Sequence, residues 1–160
     1  PELAWTQLQD SRIPTLVIRD KDNEHGRSVY FPTDIGRMYY NQNLKDHALL
    51  MSNSVKWALN EEPAVTLDEW APVEVFLYEQ PRHSRWLLHL VNTADADVGP
   101  VYKSTQLSAI DVTISVPQDF KCLEVKTLVS SSHLHYEQCE RTISFVINNL
   151  CDYEVVSIQF

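Results

Sequence analysis

The chain is poor in glycine, with three glycines among 160 residues. A glycine-rich loop that wraps a phosphate group cannot be assembled from so few, and neither GxGxxG nor GxxxxGK[ST] occurs. Nucleotide binding by these two routes is excluded. We predict no cofactor and no catalytic residue in this chain.

Positive charge is also scarce, because 13 Lys and Arg face 22 Asp and Glu, which gives a net charge of −9. Nucleic-acid binding needs clustered basic residues, and here they are scattered. No apolar run approaches the roughly 18 residues of a membrane span. We therefore predict neither a nucleic-acid nor a membrane partner.

Cysteine is limited to Cys122, Cys139 and Cys151, an odd number at wide spacing. This pattern favours reduced thiols over a disulfide framework, and hence a cytoplasmic location. None of the three has the Gly-x-Cys-x-Gly setting that exposes a nucleophile at a strand–helix turn. We interpret Cys122 and Cys151 as packing thiols rather than as the nucleophile of a Cys–His hydrolase.

Hydrophobic residues are abundant at 44%, enough for a genuine core. In the first sixty residues, the apolar runs 15–19 and 28–31 flank a glycine-containing loop and predict a hairpin. A helix over 44–59, with Asn43 as its N-cap, is predicted next. Its apolar stripe consists of Leu44, Ala48, Met51, Val55 and Ala58.

The sequence from 60 to 63, Asn-Glu-Glu-Pro, ends that helix and is typical of a linker. Beyond it the apolar period becomes two, most clearly where Ile110, Val112 and Ile114 alternate with polar residues. Further strand-like runs are 73–79, 85–92, 121–129, 141–147 and 153–160. The predicted fold is α+β: a small strand–strand–helix segment, 1–62, followed by an antiparallel β-sandwich, 63–160.

Two strands and one amphipathic helix cannot cover both faces of a sheet. Either the helix docks on the sandwich, or an N-terminal portion upstream of this chain supplied the rest of a larger α/β domain. We favour the second alternative. An apolar face left open tends to drive association, so we predict a homo-oligomer, most simply a two-fold dimer, that forms through residues 1–60.

The stretch "GRSVYFPTDIGRMYY", followed by a helix that ends in "VKWAL", resembles a known domain. It is similar to the last strand, corner and helix of the trimerisation domain of β-galactosidase-like glycoside hydrolases, and Gly26 to Arg37 carries the match. That domain is flavodoxin-like and related to class I glutamine amidotransferases. The later stretches "LLHLVN", "GPV" and "LCDYEVVSIQF" are similar to the carboxy-terminal β-sandwich of the same enzymes.

The resemblance implies a non-catalytic accessory and assembly region of a glycoside hydrolase. The two catalytic carboxylates of such enzymes lie on the strands of a barrel upstream, so no catalytic role transfers to this chain. The chain itself is then not an enzyme, although its parent is one.

Asp34, Gly36 and Arg37 could clamp an anionic ligand, but a structural corner is the preferred interpretation. Asp in such a position accepts hydrogen bonds from turn N–H groups, while Arg pairs with a carboxylate. Gly36 would provide a positive φ or a close approach of the backbone.

Two further hypotheses come from other classes of protein. Flat aromatic rings suit the apolar faces of sugars, so Trp70 and Tyr102 are candidates for stacking in a carbohydrate-binding sandwich. His133 and His135, with Cys139 nearby, are candidate metal ligands, although the usual zinc spacing is missing, and we predict no metal site. The carboxylate pairs Glu61/Glu62, Asp68/Glu69 and Asp95/Asp97 read as solvated charges.

Overall fold

The computed structural model describes residues 14–20, 26–67, 71–95 and 105–160, which form two compact units, Pro1–Glu62 and Pro63–Phe160. In the first unit, β1 (Val17–Arg19) and β2 (Ser28–Tyr30) pair antiparallel. Two helices follow, α1 (Ile35–Gln42) and α2 (Lys45–Leu59). The predicted hairpin and the long helix are therefore confirmed.

The helix α1 was not predicted, and the N-cap assigned to Asn43 is wrong. Asn43 instead ends α1 in the left-handed conformation, with φ 48°, and its N–H donates to the Tyr39 carbonyl. Asn tolerates this conformation better than other residues with a side chain, which makes it a good C-cap. The helix α2 begins after Leu44, whose side chain makes no capping hydrogen bond.

The second unit contains two four-stranded antiparallel sheets. One has the strand order β4-β5-β10-β7, with β4 at Val73–Gln80, β5 at Arg85–Asn92, β7 at Glu124–Thr127 and β10 at Tyr153–Gln159. The other has the order β3-β6-β9-β8, with β3 at Val65–Leu67, β6 at Ile110–Ser115, β8 at Tyr136–Cys139 and β9 at Thr142–Ile147. The predicted α+β fold with a sandwich is confirmed.

Alternation along the strands builds the core of this unit. In β6 the side chains of Ile110, Val112 and Ile114 are buried, and the residues between them point outward. Each such side chain stabilises the fold by about 1.5–3 kcal/mol relative to an exposed one. The buried hydrophobic cluster consists of Leu88, Leu90, Ile110, Val112, Ile114, Val116, Val125, Ile143, Phe145, Ile147, Leu150, Val156 and Ile158.

Two strands, β3 and β8, were missed by the sequence analysis. Both lie at the edges of their sheet, and β8 has the polar sequence YEQC. An edge strand buries few side chains and therefore carries a weak apolar alternation.

Candidate functional site

The corner at Asp34 begins the helix α1. The Asp34 Oδ1 accepts a hydrogen bond from the Arg37 N–H at 3.2 Å, and Arg37 Nε lies 3.0 Å from Asp34 Oδ2. The carboxylate thus satisfies one of the free N–H groups of the first helical turn, and the guanidinium pairs with it. Both side chains are more than half exposed, so the ion pair itself contributes little.

The expectation for Gly36 is wrong. Gly36 is the second residue of α1, it has no positive φ, and a Cβ added there would meet no atom within 4 Å. Its backbone is ordinary helix, which needs neither the freedom nor the small size of glycine.

Arg27, in the same sequence stretch, is a structural residue that the sequence analysis did not single out. Its Nε donates to Asp20 Oδ1 at 2.8 Å, and its Nη1 donates to the Trp57 carbonyl at 3.2 Å and to the Asn60 amide oxygen. The guanidinium carbon also lies 5.0 Å from the centre of the Trp57 ring. Arg27 therefore fastens the hairpin to the carboxyl end of α2, where a cation is favourable.

A groove of about 500 Å³ lies on the outer face of the sheet β3-β6-β9-β8. Its polar lining comes from three strands, from the segment that precedes β8 and from the residue that follows β9: Asp111, Thr113, His133, His135, Glu137, Ser144 and Asn148. Strand pairing explains the arrangement, because Ser144 lies opposite both Thr113 and Glu137. Thr113 Oγ1 and Ser144 Oγ are hydrogen bonded at 3.1 Å.

The outer face of the other sheet carries aromatic rings instead. Phe76 is 46% exposed, Tyr78 56% and Tyr153 41%. The rings of Tyr78 and His89 are 5.3 Å apart and nearly perpendicular, at 89°, and His89 Nδ1 is hydrogen bonded to the Tyr153 hydroxyl. Phe76, Tyr78, His89 and Tyr153 together form the aromatic face of this sheet.

Trp70 and Tyr102, the predicted sugar-stacking residues, lie outside the described residues, as do Asp68, Glu69 and Asp97. Trp86 packs between Phe120 and Phe160, with ring centres 4.8 Å and 5.9 Å away, at the border of the core. The Trp86 ring therefore packs against other aromatic side chains and does not offer a flat surface for stacking on a sugar.

The candidate metal ligands are only partly brought together. His133 and His135 line the groove, whereas Cys139 does not, and His133 Nδ1 is 3.2 Å from Glu124 Oε1. Within the described residues, no group of three or more His, Cys, Asp or Glu could hold a metal ion.

Cys122 differs in environment from Cys139 and Cys151, which are both exposed. Cys122 is half-buried, and this burial raises the pKa of its thiol despite hydrogen bonds with Tyr136 and Glu124 that act in the opposite direction. A raised pKa leaves less thiolate and so a poorer nucleophile. Cys151 is exposed, so its interpretation as a packing thiol is wrong.

The described residues thus form an α+β chain whose main part is a β-sandwich, and none of their helices is long and apolar enough to cross a membrane. No protein-family profile matches the chain, and no curated protein matches it in sequence. Solved structures do match. Alpha-L-fucosidase isoenzyme 2 from Paenibacillus thiaminolyticus aligns with a TM-score of 0.68 and 13% identity, over 82% of this chain and 20% of its own.

A cycloisomaltooligosaccharide glucanotransferase from Paenibacillus sp., complexed with cycloisomaltoheptaose, aligns with a TM-score of 0.51 and 17% identity, over 59% of this chain and 16% of its own. At such identities the likeness shows the fold alone. The chain spans a fifth or less of the length of these two structures. The finer assignment to a β-galactosidase-like trimerisation domain stays a prediction.

Proposed function

We propose that this chain is a non-catalytic accessory and assembly region of a glycoside hydrolase of the β-galactosidase-like group. The observation that carries the proposal is the extent of the fucosidase match. It covers 82% of the chain, which exceeds the 98 of 160 residues in Pro63–Phe160, so it includes part of the first unit. The shared feature is then more than a common sandwich. The sequence from Gly26 to Arg37 adds independent support.

The assembly role is supported by the surface of the first unit. None of its described residues is buried, and the large hydrophobic residues that it exposes are Leu16, Val17, Ile18, Tyr30, Met38, Tyr40, Leu44, Leu49, Leu50, Val55 and Leu59. Such a surface is unusual for a unit that stays uncovered. We propose that a second copy of this chain covers it, through residues 1–60, in a two-fold homodimer.

The catalytic part of the proposal is tested by incubating the chain with aryl β-galactosides, α-fucosides and β-xylosides. We expect no release of the aryl group above buffer, because the catalytic carboxylates would lie in another part of the parent enzyme. Turnover that follows the protein through gel filtration and disappears in Asp111→Asn or Glu137→Gln would contradict the proposal.

A second candidate function is a carbohydrate-binding sandwich, and the groove favours it. The described lining offers hydroxyl, amide and carboxylate groups around a partly exposed Val146 side chain. Ligand sites combine apolar surface with a few placed polar groups in this way.

A further inference from the structure

The groove lies over the buried hydrophobic cluster of the second unit. Its base is formed by the neighbouring strands β6 and β9, with β8 along one side. Beneath it the side chains of Val112 and Phe145 belong to the buried cluster. Side chains on strands with such a packed inner face are held in place better than side chains on loops, so the lining is preorganised for a ligand.

The lining has a definite chemical character. None of its described residues is Lys or Arg, whereas Asp111 and Glu137 provide carboxylates. These carboxylates disfavour an anionic ligand, and the described lining has no Lys or Arg that would attract one. Carboxylates accept hydrogen bonds from two neighbouring donors, and the Thr113 and Ser144 hydroxyls and the Asn148 amide both donate and accept. This combination fits a neutral ligand with many hydroxyl groups.

We infer that the groove is a binding site for neutral oligosaccharides, whose hydroxyl groups donate to Asp111 and Glu137 while the apolar face of a sugar ring covers Val146. This inference rests on the second candidate function and gives that function a location. A volume of about 500 Å³ lies within the usual range of small-molecule sites, roughly 300–1,000 Å³.

The strand register determines how far apart the two acidic residues of the groove lie. Asp111 on β6 lies opposite Val146 of β9, and Glu137 on β8 lies opposite Ser144 of β9. The two acidic residues are therefore separated by two inter-strand spacings across the sheet and by two residues along the strands. Standard strand geometry puts their α-carbons roughly 12 Å from each other. The two acids can therefore accept hydrogen bonds from hydroxyl groups at two positions along a bound saccharide.

The aromatic face is less suited to the same ligand, although its rings are exposed. A sugar stacks on the flat face of a ring, and two neighbouring rings share one platform best when their faces point the same way. Tyr78 and His89 are nearly perpendicular instead, at 89°, and His89 is already hydrogen bonded to Tyr153. The aromatic face thus provides a matched control on the opposite sheet.

The test is isothermal titration of the whole chain with three oligosaccharides of equal length: a neutral galactose oligomer, a galacturonate oligomer and a glucosamine oligomer. We expect binding of the neutral oligomer, with the galacturonate oligomer at least several-fold weaker. Glu137→Gln and Asp111→Asn should each weaken neutral binding by roughly three- to tenfold, because each substitution replaces a charged acceptor. Tyr78→Ala should leave it unchanged.

Circular dichroism first establishes that each variant is folded. Ser144→Ala is an additional groove variant that makes a smaller change to the lining. The inference is overturned if no oligomer binds at millimolar concentration, if only the glucosamine oligomer binds, or if galacturonate binds as tightly as galactose. It is also overturned if Tyr78→Ala abolishes binding that the groove variants retain. The accessory role is judged separately, by turnover and by oligomeric state, and none of these outcomes changes those two readouts.

Discussion

Glu154 is an acidic residue on the core side of β10, only 4% exposed. Its carboxylate accepts hydrogen bonds from the N–H groups of Val129 at 2.9 Å, Ser130 at 3.1 Å and Val155 at 2.9 Å. Burial alone would raise its pKa, but these bonds and one from the Ser130 side chain outweigh burial, and the pKa is lowered from its ordinary value of 4.5. The charged form therefore stabilises the turn after β7.

We predict that Glu154→Gln lowers the free energy of unfolding at pH 7 by about 1.5–3 kcal/mol, the usual range for hydrogen bonds to a charged group. A lowered pKa in the folded state gives stability that is present above pH 4.5 and is lost as the pH falls through the folded-state value. The difference between the two proteins should therefore shrink in acid.

Urea unfolding at pH 7 and at pH 3 measures both effects. Glu74→Gln, on the exposed side of β4, is the control and should change stability little at either pH. A Glu154→Gln deficit that is equally large at pH 3 would rule out the carboxylate as its cause.

The helix α1 contains a glycine, Gly36, in its first turn. We predict that Gly36→Ala stabilises the chain by roughly 0.5–1 kcal/mol, because alanine favours helix and a Cβ there meets nothing. Asp34→Ala, which removes the N-cap, should cost about 1 kcal/mol. Guanidinium unfolding followed by far-UV circular dichroism measures the stability of both variants. If Gly36→Ala is less stable than the original chain, this position does need the conformational freedom or small size of glycine.

The hairpin between β8 and β9 shows the opposite case, a left-handed position without glycine. Glu140 has a φ of 42°, while its neighbour Arg141 is not among the positive-φ residues. We predict that Glu140→Gly stabilises the chain by up to about 1 kcal/mol, because a side chain in this conformation costs roughly that much. Arg141→Gly is the matched control and should destabilise it. Thermal unfolding of both variants gives the sign, and a gain for Arg141→Gly alone would refute the prediction.

At the scale of the whole molecule, the two units differ in burial. Every fully buried side chain of the described residues lies in Pro63–Phe160, whereas the first unit exposes much of its apolar surface. We predict that the full chain is a dimer at micromolar concentration and that a chain of residues 63–160 is a monomer. Val55 is 65% exposed and Ile18 60%, so Val55→Asp and Ile18→Asp should weaken the dimer without unfolding it.

Light scattering on the full chain, the 63–160 chain and the two variants measures this directly. Val146→Asp, on the outer face of β9, is the control and should leave the dimer intact. A full chain that is monomeric and binds no hydrophobic dye would count against the assembly role.

The sequence by itself determined the hairpin, α2 and the sandwich, because apolar periodicity records which side of an element is buried. It did not reveal α1, because this helix has only eight residues and contains a glycine, although Ile35, Met38 and Tyr39 recur at helical spacing. Nor did it fix the role of Asn43, whose side chain suits either end of a helix. The alternation in β6 also placed Asp111 and Thr113 on the polar side of that strand, and both residues line the groove.

Only the tertiary structure decided that these residues meet Glu137, Ser144 and His135. The order β6-β9-β8 brings together positions more than 20 residues apart, and edge strands such as β8 carry little apolar alternation. Strand order depends on pairing between backbone segments that are far apart in the sequence. The local periodicity of apolar residues carries no information on that pairing. A groove made of polar residues on the outer face of a sheet therefore becomes visible only once the sheet is assembled.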